Sequence, residues 1–206
     1  MEPVISLQPE WNPEWRTMLE GIYQGRNLYS FSSGQTVPLY SHVVWVVCRG
    51  VVLLSSSHSN GDEVVVGLAV QSMPFSSLFS VLQPYQAIAL SDLDLMRLTI
   101  TEIEQSPQLN LELCRHLRRR LQQTEKMLAL ANHRRVEERL KQLLILLRQD
   151  IGQPIPEGTR LAVRLTHQHL ASAIGSTRVT VTKTLGQLEA EGWLITGRDR
   201  HIILRH

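Results

Sequence analysis

The chain has 206 residues, 43% of them hydrophobic, enough to bury a sizeable core in one or two domains. Its formal charge of +2 is the remainder of two opposed halves: residues 1–114 hold four Lys/Arg against eleven Asp/Glu, and residues 115–206 hold seventeen against eight, so the C-terminal half suits a polyanion. Two cysteines exclude a disulfide framework and four-cysteine iron–sulfur ligation, and no apolar run reaches the roughly eighteen residues of a membrane span.

In chain order, the start MEPVISLQPEWNPEW lacks a leader's basic and apolar segments, so the expectation is a cytoplasmic protein without membrane contact. Trp11, Trp15, Met18, Leu19 and Ile22 predict a short amphipathic helix. From Leu28 to about Arg97, Val/Ile-rich runs alternate with turns at Arg49-Gly50, Asn60-Gly61-Asp62, Pro74 and Pro84. That spacing predicts a small antiparallel barrel or jelly roll, capped by a helix over Ile100–Glu104. Cys48 and Cys114 are expected to be buried as small hydrophobes.

Pro107 opens a long helix of about thirty residues, since no Pro or Gly then interrupts the chain until Gly152. Leu109, Leu113, Leu117, Leu121, Thr124 and Leu128 form a narrow apolar seam that calls for a partner helix, and the flanking Arg115, Arg118, Arg119, Arg120 and Lys126 are expected to be solvated. His133-Arg134-Arg135 reads as a joint. A second helix follows, with Val136, Leu140, Leu143, Leu144 and Leu147 on its apolar side, and QPIPEG reads as a loop out of it.

The segment THQHLASAIGSTRVTVTKTL, Thr166 to Leu185, carries the densest information. Leu170, Ala171 and Ile174 form one apolar face, Val181, Leu185 and Leu188 another, and Gly175 stands between them: a helix-turn-helix. Thr166, Gln168, Ser176, Thr177, Arg178, Val179, Thr180, Thr182 and Lys183 then fall where a recognition helix meets DNA. Hydroxyls and free N–H groups suit phosphate, Arg178 suits the O6 and N7 acceptors of guanine, and Val179 suits a thymine methyl. A strand-like run at Arg160–Leu165 precedes this pair. Trp193–Thr196 and His201–Leu204 flank the turn GRDR as a β-hairpin wing, with Arg198 and Arg200 facing the duplex backbone.

The fold class is therefore α+β, in three parts: a barrel over 1–106, a dimerisation helix over 107–132 and a winged helix-turn-helix over 133–206. A two-fold dimer places two recognition helices in successive major grooves about 34 Å apart, so its operator is a palindrome. No metal-ligand spacing, nucleophile elbow or phosphate-cradling Gly loop marks an enzyme or a metal site.

Over nearly its whole length the chain resembles the CRP/FNR superfamily of transcription regulators, most sharply in AIGSTRVTVTKTLGQL and LLILLRQDIGQPIPEG, which are similar to its cyanobacterial nitrogen-regulator branch. The resemblance implies a homodimer with a cyclic-nucleotide-binding-like barrel. It implies guanine reading by Arg178 and, through Val179 where cAMP-responsive members carry Glu, half-sites of the GTA/TAC type; the position of Lys183 is usually Arg. The cyclic-nucleotide cassette matches MPFSSLFSVLQPYQAIAL, and between Gln71 and Leu90 there is no Asp, Glu, Lys, Arg or Gly. A buried cyclic phosphate would lack its counter-charge, so cAMP is disfavoured. The nitrogen-regulator branch binds 2-oxoglutarate, and Phe75, Ser76, Ser77, Leu78 and Arg134 match part of that effector pocket; its barrel Arg and its Gly have no counterpart here, so the expectation is no cofactor and a pocket filled by side chains or open to an apolar molecule. Haem is disfavoured, because His42, His58, His116 and His133 are scattered and no Cys-x-x-Cys-His occurs. The alternative to a ligand-sensing regulator is a barrel that binds a protein partner, RNA polymerase or another, through Phe75, Leu78 and Phe79, with DNA contact accessory.

Overall fold

The computed structural model describes residues 26–205; the expected N-terminal amphipathic helix, Trp11 to Ile22, lies outside them. The first part is a pair of antiparallel sheets. One orders β1 (Tyr29–Phe31), β7 (Leu93–Thr99), β2 (Val43–Arg49) and β5 (Pro74–Phe75), and the other orders β4 (Glu63–Ala69), β3 (Val52–Ser57) and β6 (Tyr85–Ala89). β2 explains why the sequence there is a near-continuous apolar run. Val43, Trp45 and Val47 point into the main core, whereas Val44 and Val46 join Met96, Leu98, Ile103 and Leu109 in a second cluster on the other face. Both faces of the strand are covered, so the alternation vanishes. Trp45 anchors the interior: its indole N–H donates to the Pro38 carbonyl at 2.9 Å, and Tyr29 and Phe31 meet its ring edge-on.

α1 (Ile100–Gln105) is set by a reciprocal capping box between Thr99 and Glu102, and α2 (Pro107–Ala131) begins with Ser106 as cap and Pro107 at its first position. The seam divides into two stretches. Leu109 is buried and Leu113 partly buried against α1 and the barrel, while Leu117, Leu121 and Leu128 lie 36%, 59% and 68% exposed. The chain breaks at residues 132–135, and α3 (Val136–Ile151) buries Leu140, Leu143, Leu144 and Leu147 together with Leu146 and Ile151.

Three expectations are corrected. QPIPEG is a hairpin, with β8 (Gly152–Ile155) and β9 (Gly158–Leu161) replacing the expected loop; the strand expected from Arg160 is present but starts at Gly158 and ends at Leu161. β9 pairs with β11 (Ile202–Leu204), which pairs with β10 (Leu194–Thr196), so the cause is a partner some forty residues away; β8 tolerates Pro154 because it is an edge. Cys114 is exposed, because α2 buries Leu109, Glu112, Gln123 and Leu130 on a different face, and Cys48 is half-buried at the margin of the second cluster. Arg119 and Arg120 are not merely solvated flank residues; both are drawn into contacts across α2, described below.

α4 (His167–Ile174) and α5 (Arg178–Ala190) form the helix pair, and α4 packs on β4 of the barrel as well as on α3 and α5. The seam between barrel and helices is lined by Leu53, Leu68, Met127, Leu143, Leu147 and Leu170. Its free space is about 30 Å³, room for a water or two and far below the ~150 Å³ that admits a benzene-sized guest. It is a packed interface.

Candidate nucleic-acid interface

The helix pair is held by its caps. The Thr166 hydroxyl accepts from the His169 N–H at 3.0 Å, and His169 Nδ1 accepts in return from the Thr166 N–H. Gly175 ends α4 at φ +61°, ψ +53°, a left-handed conformation that needs no Cβ, and its N–H reaches the Ala171 carbonyl. Thr177 then caps α5, accepting from the Thr180 N–H at 3.2 Å. Val181, Thr184, Leu185 and Leu188 bury the inner face of α5. The outer face is left to Arg178, Val179, Thr182 and Lys183, all exposed, with Val179 at 79%.

A bare valine at that level of exposure on the first turn of a helix has no packing role. Around it, Ser176 and Thr180 are partly buried and Thr177 exposed, so hydroxyls ring the helix start. Gln168, on α4, is exposed and its amide N–H donates to the Ser172 hydroxyl at 3.3 Å. Among the described residues no salt bridge holds Arg178, Lys183, Arg198 or Arg200, and all four are exposed on the helix and wing.

The wing is fixed to the body by groups whose roles the sequence did not announce. The Arg160 guanidinium on β9 meets the Asp199 carboxylate at 2.7 Å, and the His201 N–H also donates to it. The Arg160 hydrogen bond, helped by that N–H, pulls the Asp199 carboxyl down to about 2, so the tie persists across the neutral range. Arg200 turns the hairpin at φ +63°, and the Thr196 N–H donates to the Glu189 carboxylate at 2.9 Å, linking β10 back to α5. Arg198 and Arg200 lie exposed on the turn between the two strands.

The barrel segment matched to an effector pocket has a different character. Phe75 is buried in the core, and Ser76, fully buried, donates its hydroxyl to the Val43 carbonyl at 2.7 Å while accepting from the Leu78 N–H. Ser77 is partly buried and Leu78 exposed on a single 3-10 turn, Ser77–Phe79. Arg134 lies exposed in the break between α2 and α3. The helix arginine that reaches the barrel is Arg120. Its guanidinium donates to the Leu68 carbonyl at 3.4 Å and to the Gln123 amide oxygen at 2.6 Å, and pairs with Tyr85. Gly67 makes room for it, since a Cβ there would sit 2.4 Å from the Arg120 nitrogen. Gln123 in turn donates to Asp150 of α3 at 2.8 Å, and Arg119 approaches the same carboxylate at 3.5 Å. Burial pulls the Arg120 guanidinium down from its ordinary value, an effect that Tyr85 and Asp150 oppose. A periodicity argument cannot see this cluster, because its members come from β4, β6, α2 and α3. Of the histidines weighed for haem, His116 is held neutral, pushed down to about 4 by burial with a further contribution from Arg119.

One contact at the helix pair was invisible in sequence: His167 Nδ1 lies 2.7 Å from the Thr182 hydroxyl, fifteen positions on, tying the first turn of α4 to the outer face of α5.

Comparison with known proteins identifies the same region. A family model described as a Crp-like helix-turn-helix domain matches residues 138–206. A "Global nitrogen regulator" from Synechocystis sp. is 37% identical over 172 residues, covering 79% of this chain and 76% of its own. "Regulatory protein CysR" from Synechococcus elongatus is 34% identical, covering 82% and 80%. Among solved structures, a CRP/FNR-family transcriptional regulator from Thermus thermophilus superposes with a TM-score of 0.71 at 27% identity, over 87% of this chain and 94% of that one.

Proposed function

The chain belongs to the CRP/FNR family of transcription regulators, and from that premise we propose that it acts as a homodimer on a palindromic operator with GTA/TAC half-sites, without responding to cAMP. The observation that carries the operator reading is the outward row of Arg178, Val179, Thr182 and Lys183 on a capped helix whose inner face is buried. Arg178 pairs with guanine O6 and N7, Val179 meets a thymine methyl, and the hydroxyls of Thr166, Ser176, Thr177 and Thr180 and the amide of Gln168 face phosphate, with Arg198 and Arg200 on the backbone beside them. A second copy covers the exposed Leu117, Leu121 and Leu128. Selection of bound sites from random duplexes tests the half-site. Replacing Arg178 by Ala lowers affinity for the selected duplex by about 1–3 kcal/mol per half-site in a gel shift, and unchanged affinity contradicts the reading.

The cassette supports the second half of the proposal. It carries no charge over residues 71–90, and one of its buried hydroxyls, Ser76, is committed to the backbone. 2-Oxoglutarate, the effector that the resemblance to the nitrogen-regulator branch implies, would meet the Phe75–Leu78 backbone and Arg134; calorimetric titration decides it. A protein partner at the barrel, RNA polymerase or another, is favoured by the exposure of Leu78, Val81 and Leu82 at 48%, 97% and 39%.

A further inference from the structure

The Thr182 hydroxyl has a single proton and two close neighbours. It lies 2.8 Å from the Arg178 carbonyl, one turn back, and 2.7 Å from His167 Nδ1. The carbonyl is only an acceptor, so it takes the hydroxyl proton. Were the proton given to the imidazole instead, the Thr182 oxygen and the carbonyl oxygen would face each other lone pair to lone pair at 2.8 Å. The chain of bonds is consistent in one direction: His167 Nδ1–H donates to Thr182, and Thr182 donates to the Arg178 carbonyl. Nδ1 therefore carries a proton whatever the charge of the ring. A neutral His167 then presents a bare lone pair at Nε2, and a protonated one presents an N–H.

We propose that His167 is a DNA-phosphate contact of this helix pair and that it binds only in its protonated form, so that operator binding takes up a proton at each protomer. His167 is exposed at the first position of α4, beside the capping Thr166, and is bonded to a residue on the outer face of the recognition helix. A phosphodiester oxygen accepts and cannot donate, so it repels the Nε2 lone pair and accepts from Nε2–H⁺. From α5, Arg178 and Lys183 lie beside Thr182, and Arg164 precedes α4; all three are cations. The acids of the packed elements, Glu63 of β4 and Asp150 of α3, bear on the opposite side of α4, where His169 lies. DNA thus supplies the anion that the protein withholds from this face. Affinity falls as pH rises, by at most about tenfold per pH unit for each proton taken up.

The inference rests on the DNA reading of the helix pair, and fluorescence anisotropy separates the two. Binding of the full chain to a duplex with inverted GTA and TAC half-sites, and to a scrambled duplex of equal length, is measured from about pH 6 to 8, the range where imidazoles titrate. Wild type is expected to lose roughly a hundredfold or more in affinity for the specific duplex across that range, because each dimer takes up two protons. H167Q, which cannot take up the proton, loses that part of the slope, and H167R, which keeps a permanent donor, binds at the acid-limit affinity throughout. T182V frees the ring to exchange tautomers and also flattens the slope. Equal slopes in wild type and H167Q, with specificity intact, overturn the inference alone. Failure of wild type to prefer the specific duplex at any pH overturns the DNA reading beneath it.

Discussion

The winged helix and the barrel treat their polar groups in opposite ways. In the winged helix, the Thr166 and Thr177 hydroxyl oxygens and the Glu189 and Asp199 carboxylates accept in caps and ties, and the cations Arg178 and Lys183 are left on the outer face with Val179 and Thr182. In the barrel, the groups that could receive a small molecule are themselves the ties: Ser76 to Val43, Arg120 to Leu68, Tyr85 and Gln123. One region is a presentation surface for a large anion. The other is closed by its own side chains.

The largest effect expected lies on the exposed apolar face of α2, the helix that joins them. Exchanging Leu121 and Leu128 for Glu leaves each chain's core untouched, because both side chains are exposed in the single chain. In the proposed dimer it buries four carboxylates against an apolar face. Sedimentation equilibrium should find a monomer, and affinity for a two-half-site duplex should fall by roughly a hundredfold or more, since the two recognition helices no longer act as one ligand. A dimer that survives the double substitution moves the interface elsewhere.

Within one chain, Leu170 joins the two regions, being fully buried in α4 and lining its interface with β4 and α3. Leu170→Ala should cost about 3 kcal/mol in urea unfolding, and Leu78→Ala, on the exposed 3-10 turn, less than about 0.5 kcal/mol. Equal costs would mean that the barrel's loop is as tightly packed as the helix pair.

How far each region could be read from sequence follows the same division. The helix pair was legible because caps, a left-handed Gly and apolar faces three and four residues apart are local signals, all within Thr166–Leu188. The strands of the barrel were legible for a similar reason, as Val-rich runs between turns. What escaped was non-local. β8 and β9 are strands because β11 pairs beside them, Arg120 is partly buried because Gly67 leaves a gap opposite it, and His167 is oriented by a hydroxyl fifteen residues away. β5, two residues long, has no period to detect; it exists only as the partner of Trp45 and Val46.

Acid should find the barrel side before the wing. His116 on α2 is held neutral in the folded chain with its value lowered to about 4, below the ordinary 6.5. Its contribution is therefore complete above about pH 6.5 and is lost as pH falls toward 4, amounting to about 2 kcal/mol near pH 5. H116Q, neutral at every pH, should flatten the decline of Tm over that window. Asp199, held at about 2, keeps the wing tied to β9 through the same range, so the hydrogen-exchange protection of β9 and β11 should follow global stability with no separate step.

The smallest effect tests whether the recognition helix is preformed. Thr177 satisfies one of the free N–H groups at the start of α5, and its hydroxyl also lies 2.9 Å from that of Thr180, so T177A removes a cap without touching the buried face. The cost in stability should be about 1 kcal/mol. If Thr177 acts only as a cap, affinity for specific and scrambled duplexes should fall together by no more than that amount. If its hydroxyl also faces phosphate, the salt dependence stays the same, because a hydroxyl displaces no counterion, whereas K183A lowers the slope of log K against log salt by about one for each protomer. The pair of variants thus separates the groups that shape the helix from those that carry its charge to DNA.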